Sequence, residues 1–257
     1  MIKIIKNFTY NINFKTFIII FLSLITTYLC LRFDIIIQLP TGLIGIAIVF
    51  PIVFSINAAY RRREEALNYL ASIKSSSISL FYLHRDLMPG DNREHAERIR
   101  LLTLDLFKSL NSYFMAVGDK DTTFRHIYSL FSRISLSIRQ LRIDGIPATD
   151  ITRALQYLRT IITEFECMRN IFIYRTPNSL RAYTQVFLNI FPIIFGPYFA
   201  YLSTEFFYSS GYFVSVLYCL VLVCLNNIQN NIENPYDGIG LDDINLNIAE
   251  EYAEVLI

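Results

Sequence analysis

Near the C-terminus the stretch NNIENPYDGIGLDDINL (Asn230 to Leu246) sets Asn234, Asp242 and Asp243 around Pro235, Gly238 and Gly240. Oxygen-bearing side chains on a tight turn are what a hard cation such as Ca²⁺ binds. A second chemistry lies in FSINAAYRRREEAL (Phe54 to Leu67), where Asn57, Arg61 and Arg62 end an apolar run. Two readings fit these arginines: a topology anchor at the membrane surface, or a ring at a pore mouth that concentrates anions. Nothing points to catalysis. There is no Gly-rich phosphate loop, HExxH or GxSxG, and His84, His95 and His126 are scattered. Glu164 and Glu166, two residues apart, would point about 200° apart on a helix. The four cysteines have no metal-ligand spacing and read as inert core thiols.

Hydropathy dictates which elements carry these groups. The chain is 53% hydrophobic and 18% charged, and its apolar residues are clumped. Thr16 to Leu31, Ile35 to Ile56, Ala182 to Thr204 and Phe206 to Leu225 carry no charge. At 1.5 Å per residue they span roughly 24, 33, 34 and 30 Å, against a hydrocarbon core of about 30 Å. The expectation is four transmembrane helices in two pairs, the first retained rather than cleaved as a signal peptide. From Asn57 to Arg181 there are 19 Lys and Arg against 13 Asp and Glu, and the tail after Leu225 has seven acids and no base. Lys3, Lys6 and Lys15 before the first span, and Arg61, Arg62 and Arg63 after the second, place both termini and the central segment in the cytoplasm.

The central segment reads as a helical bundle. Phe124, Ile127, Phe131, Ile134, Ile138 and Leu141 alternate spacings of three and four. A second seam runs Ile151, Leu155, Leu158, Ile162, Phe165, after DGIPATD, and a third contains Ile99, Leu102, Leu106 and Leu110, after MPGDN (Met88 to Asn92). No strand alternation competes with helices. The organisation expected is therefore 1–60 for the N-terminal segment and first helix pair, 61–181 for the cytoplasmic bundle, 182–225 for the second pair and 226–257 for an acidic cytoplasmic tail.

The second apolar run, LPTGLIGIAIVFPIVF, contains Pro40, Gly42, Gly45 and Pro51, more helix breakers than anchoring needs. Leu39, Leu43, Ile46 and Phe50 form one stripe with Gly42 beside it. Spacing alone allows a lipid-facing stripe or, with several copies around an axis, a narrow apolar constriction that gates by dewetting.

Three stretches, in order, resemble the bestrophin family, in particular its short bacterial and plant-type branch: LIGIAIVFPIVFSINAAYRRREEA, IYRTPNSLRAYTQ and NIENPYDGIGLDDINL. The resemblance implies an all-α membrane protein with a cytoplasmic helical bundle, assembled as a homopentameric ion channel that usually conducts anions. The second helix would line a hydrophobic neck (Leu39, Gly42, Leu43, Ile46, Phe50), with Asn57, Arg61 and Arg62 at its mouth. Departures are Arg63-Glu64 where the family commonly has an aromatic pair, no arginine near Ser55, and a neck that is aliphatic until Phe50. In animal members a similar loop clasps calcium. Here Gly240 and Leu241 interrupt the acidic run, and Asn234, Asp242 and Asp243 fall short of the roughly six to eight oxygens that Ca²⁺ takes. A structural turn docking the tail on a neighbouring subunit is the expectation, with calcium the alternative and no other cofactor. Partners would be further copies of the chain, membrane lipid and small inorganic ions, not nucleic acid. Cation selectivity, as in some bacterial relatives, and a membrane-anchored scaffold recruiting a cytoplasmic partner are the alternatives.

Overall fold

The computed structural model describes residues 9–87, 93–174 and 177–256, without the side chains of 41, 43, 44, 47, 48 and 178. Lys3, Lys6, the MPGDN turn and the side chain of Leu43 therefore lie outside the described residues. All regular structure among the described residues is helical: α1 (Phe14–Arg32), α2 (Thr41–Asp86), α3 (Arg93–Phe114), α4 (Lys120–Ile143), α5 (Ala148–Ile173), α6 (Asn178–Glu205), α7 (Ser210–Glu233) and α8 (Ala249–Val255). Two compact units result, one of 1–61 and 176–233, the other of 62–175 and 234–257.

In the first unit α1, α6 and α7 pack together with the opening of α2. The Asn13 side chain accepts from the Thr16 backbone N–H at 3.1 Å, and the Asn13 N–H donates to Thr16 Oγ1 at 3.2 Å, a reciprocal cap that starts α1. What α1 then buries is its small polar stripe, Thr16, Ser23 and Thr27 with Ile19, while Phe14, Phe17 and Phe21 stand exposed at 79%, 62% and 65%. α7 repeats the inversion, with Ser210, Gly211, Ser215 and Cys219 inside and Phe213, Leu217 and Val221 outside. Small residues at helix contacts and large apolar ones outside are the pattern of helices in a bilayer, where no hydrophobic force draws apolar faces inward. Among the described residues, Phe14–Arg32, Ser179–Glu205 and Ser210–Glu233 are long and apolar enough to cross a membrane. The second expected span, Ile35 to Ile56, is divided instead. Residues 35–40 are not helical, and the apolar opening of α2 is continuous with a charged helix that runs on to Asp86.

Of the glycines in this unit, Gly211 is the most tightly enclosed. A Cβ added there would lie 1.9 Å from the Phe199 carbonyl oxygen and 2.3 Å from Ser203 Oγ. The chain turns between α6 and α7 and locks: Gly211 N–H donates to Ser203 Oγ at 3.2 Å and Ser210 Oγ to the Leu202 carbonyl at 2.6 Å. α7 ends in a buried polar face of Asn226, Asn227, Gln229 and Glu233. Asn227 donates to the Asn11 carbonyl at 2.7 Å, Asn231 to the Asn11 side chain at 3.2 Å, and Glu233 pairs with Arg181.

The second unit is a bundle of the later part of α2 with α3, α4, α5 and α8. The expected seams of α3 and α4 are buried throughout, with Phe124 partly so. The α5 seam differs by one register. Leu155 is 47% exposed, and Ala154 and Ile161 join Ile151, Leu158 and Phe165 inside. A 3.6-residue period admits either neighbour at these steps, and the packing selects the small Ala154 where space is short. The bundle centre is aromatic, with Tyr113, Phe114, Phe165, Phe172 and Tyr236 in edge and tilted contacts. His84 is wholly buried between two partners: its Nδ1 lies 2.9 Å from the Leu80 carbonyl and its Nε2 3.0 Å from Ser137 Oγ. Burial, the largest cause, lowers its pKa to about 4, so it is a neutral packing residue.

Candidate functional site

The exposed stripe of α2 is the first candidate. Pro40 disfavours the helical region for the preceding residue, so Leu39 lies ahead of α2, a correction to the helical spacing drawn from sequence. From Ile46 the stripe is apolar and outward: Ile46 is 55% exposed, Phe50 54%, Val53 49% and Phe54 60%. Phe50 and Phe54 meet edge to face at 5.2 Å. Asn57 and Arg61 continue the line, both exposed, while Arg62 is half-buried. The opposite face carries Ile52, Ser55 and Ala59, all at 1% exposure or less. α2 thus uses one face within its chain and leaves a helical-spaced apolar face uncovered. Gly42 and Gly45 do not serve contact within the chain, because a Cβ at either would meet nothing within 4 Å. Within the chain, close backbone approach occurs at Gly211.

The acidic turn is the second candidate. Among the described residues no group of three or more His, Cys, Asp or Glu is placed to hold a metal ion. Asn234 is buried and donates from Nδ2 to Asp237 at 2.8 Å, a carboxylate that sequence reasoning passed over. Asp237 also accepts from the Ile239 N–H at 3.1 Å, and Asp243 from the Gly240 N–H at 3.1 Å. The side chain of Asp242 takes no part, although its carbonyl accepts from Arg63 Nε at 2.6 Å. Asn234, Asp237 and Asp243 together offer fewer oxygen-bearing groups than the roughly six to eight ligands of Ca²⁺, and their carboxylates already cap the turn's own N–H groups. These residues do not fit a calcium site.

Burial, followed by the neighbouring Asp237 carboxyl, raises the Asp243 pKa to about 6. An acid whose folded pKa is raised contributes stability below its unfolded pKa, near 4, and loses it as pH rises through about 6. Asp243→Asn should therefore raise the thermal midpoint of the purified protein near pH 7.5 and leave it unchanged near pH 3. The comparison is made with and without added calcium. A midpoint that calcium raises in the wild type and not in the variant would show a cation site.

The aromatic centre and the tail also come together here. Tyr236 is 0% exposed, 4.6 Å from the Phe114 ring and 6.3 Å from Phe172. Beyond it Ile244, Leu246 and Ile248 point in and Asn245 and Asn247 out, a period of two in an unpaired extended segment. Arg100 closes the tail by donating to the Ala253 and Leu256 carbonyls at 3.0 and 2.7 Å. The tail thus docks on its own bundle. Sequence reasoning missed this segment, although INLNI carried the alternation.

No family model matches this sequence, and no curated protein is similar to it. Solved structures do match over nearly the whole chain. A bestrophin homolog from Klebsiella pneumoniae carrying a Tyr→Ala mutation has a TM-score of 0.77 at 18% identity, over 94% of this chain and 97% of that one. The same source's bestrophin homolog phased from zinc gives 0.76 at 18% identity, over 95% and 96%. A structure described only as a membrane protein gives 0.76 at 18% identity, over 95% and 97%. By fold, this chain is bestrophin-like.

Proposed function

We propose that this chain is the subunit of a homopentameric membrane channel for small anions, chloride above all, with α2 lining its hydrophobic neck. The observation that carries the reading is the uncovered stripe Ile46, Phe50, Val53 and Phe54, running into Asn57 and Arg61 on a helix whose other face is packed. Copies arranged about an axis would bury that stripe as a constriction where ions shed water, with arginines at its mouth attracting anions. The bestrophin-like fold and the inverted faces of α1 and α7 support membrane insertion in several passes, with both termini cytoplasmic by the basic residues flanking the apolar runs. Conduction needs no catalytic group.

Purified protein in liposomes, with chloride and sodium gradients opposed, tests the reading. A reversal near the chloride potential supports it. A reversal near the sodium potential supports cation conduction, a second reading favoured by the exposed Glu250, Glu251 and Glu254 of the tail. No flux from a pentameric preparation counts against a channel. Ile46→Ala should raise conductance about twofold or more by widening and wetting the neck. An unchanged current would move the pore to another face.

A further inference from the structure

α3 and α4 enclose a cleft of about 500 Å³ in the second unit. That volume suits a small-molecule ligand. One wall is a single stripe of α4, Arg133, Leu136, Arg139 with Gln140, and Ile143, spaced to share a face. The other wall is Arg98 and Leu102 of α3, four apart. The α4 wall therefore combines guanidinium groups with the exposed aliphatic side chains of Leu136 and Ile143, while the α3 wall sets Arg98 beside the buried Leu102.

The carboxylates nearby are already engaged. Glu94 pairs with Arg98 at 3.2 Å, and Asp144 accepts from Gln140 at 3.0 Å and lies 3.8 Å from His95. Arg133 and Arg139 make no ion pair among the described residues. The floor is closed by Ser137, 5% exposed, in contact with the buried His84. A bundle gains nothing in stability by lining one groove with like charges. Several forked donors facing a groove match the geometry of phosphate oxygens, which take them bidentately.

We propose that this cleft binds a phosphorylated small molecule, its phosphoryl oxygens on Arg133 and Arg139 with Arg98 adding a third contact, and its apolar part against Leu136 and Ile143. This site is separate from the α2 stripe, so it stands whether or not the chain conducts ions.

The test is calorimetric titration of the purified full-length protein with inorganic pyrophosphate, in chelator and at fixed ionic strength. Saturable binding at one site per chain is expected, weakened about tenfold or more in Arg133→Gln/Arg139→Gln. Glu94→Gln, which frees Arg98, should tighten binding about twofold, a gain that misfolding cannot imitate. Arg125→Gln, on the same helix but outside the cleft, should leave the affinity unchanged. Displacement of pyrophosphate by micelles doped with phosphatidic acid would assign the phosphoryl group to a lipid headgroup, and its absence to a soluble ligand. No saturable binding to the wild type, or equal affinity in the double variant, overturns the proposal.

Discussion

Tyr236→Ala should destabilise the second unit by about 3–5 kcal/mol, the range for deleting a fully buried aromatic ring. The ring is wholly buried against Phe114 and Phe172. It is also the first anchor of the tail, followed by Ile244, Leu246 and Ile248. Losing it should release the segment after Glu233, so limited proteolysis would cut there at protease levels that spare the wild type. Tyr236→Phe separates packing from hydrogen bonding. The phenol oxygen is 3.4 Å from the Met168 carbonyl, a long bond, so the variant should stay within about 1 kcal/mol of wild type. If Tyr236→Ala melts with the wild type, the turn does not hold the tail.

Gly211→Ala is the second large effect, and it arises from addition rather than removal. The new methyl would sit 1.9 Å from the Phe199 carbonyl oxygen, a backbone atom that cannot rotate away. The α6–α7 contact must open, breaking the Ser203 and Ser210 hydrogen bonds that close it. Overpacking of this kind costs on the order of 3 kcal/mol. Thermal unfolding in detergent and the yield of folded protein would register it. Gly42→Ala is the control. Space around it is open within the chain, and alanine favours a helix by about 0.5–1 kcal/mol. A gain in stability is expected if nothing covers that face, and a loss would show that another copy abuts it.

These two positions also show what the sequence made legible. Helix seams depend on a repeating pattern, and those of α3 and α4 could be read directly because large aliphatic residues recur without competitors. Leu155 misled for the same reason: hydropathy ranks leucine above alanine, while the space between packed helices favours Ala154. The apolar runs of α1 and α7 were plain, but which face turns inward was not, since the contact is made by Thr16, Ser23 and Ser215. Gly211 lacks any local signature, because its role is set by a carbonyl twelve residues earlier on another helix. In the acidic turn, Asn234 and Asp243 were identified from residue type. The turn's own side-chain hydrogen bonds use Asp237, which residue type did not single out, beside Asn234 and Asp243. Asn227 and Asn231 tie the end of α7 to Asn11 and Asn13 ahead of α1.

The path of the chain through its two units has a consequence for biosynthesis. Neither unit is continuous: the bundle interrupts the first, and 234–257 is needed to finish the second. α1 must wait for α6 and α7, which leave the ribosome only after the whole bundle has been made. The bundle in turn waits for Tyr236, which is translated 64 residues after Phe172. At about 5–20 residues per second, Phe114 and Phe172 stay uncovered for several seconds to tens of seconds after their own synthesis. A nascent chain stalled before the ENPY segment would therefore present an open aromatic surface, the state in which chaperone binding or aggregation competes with completion.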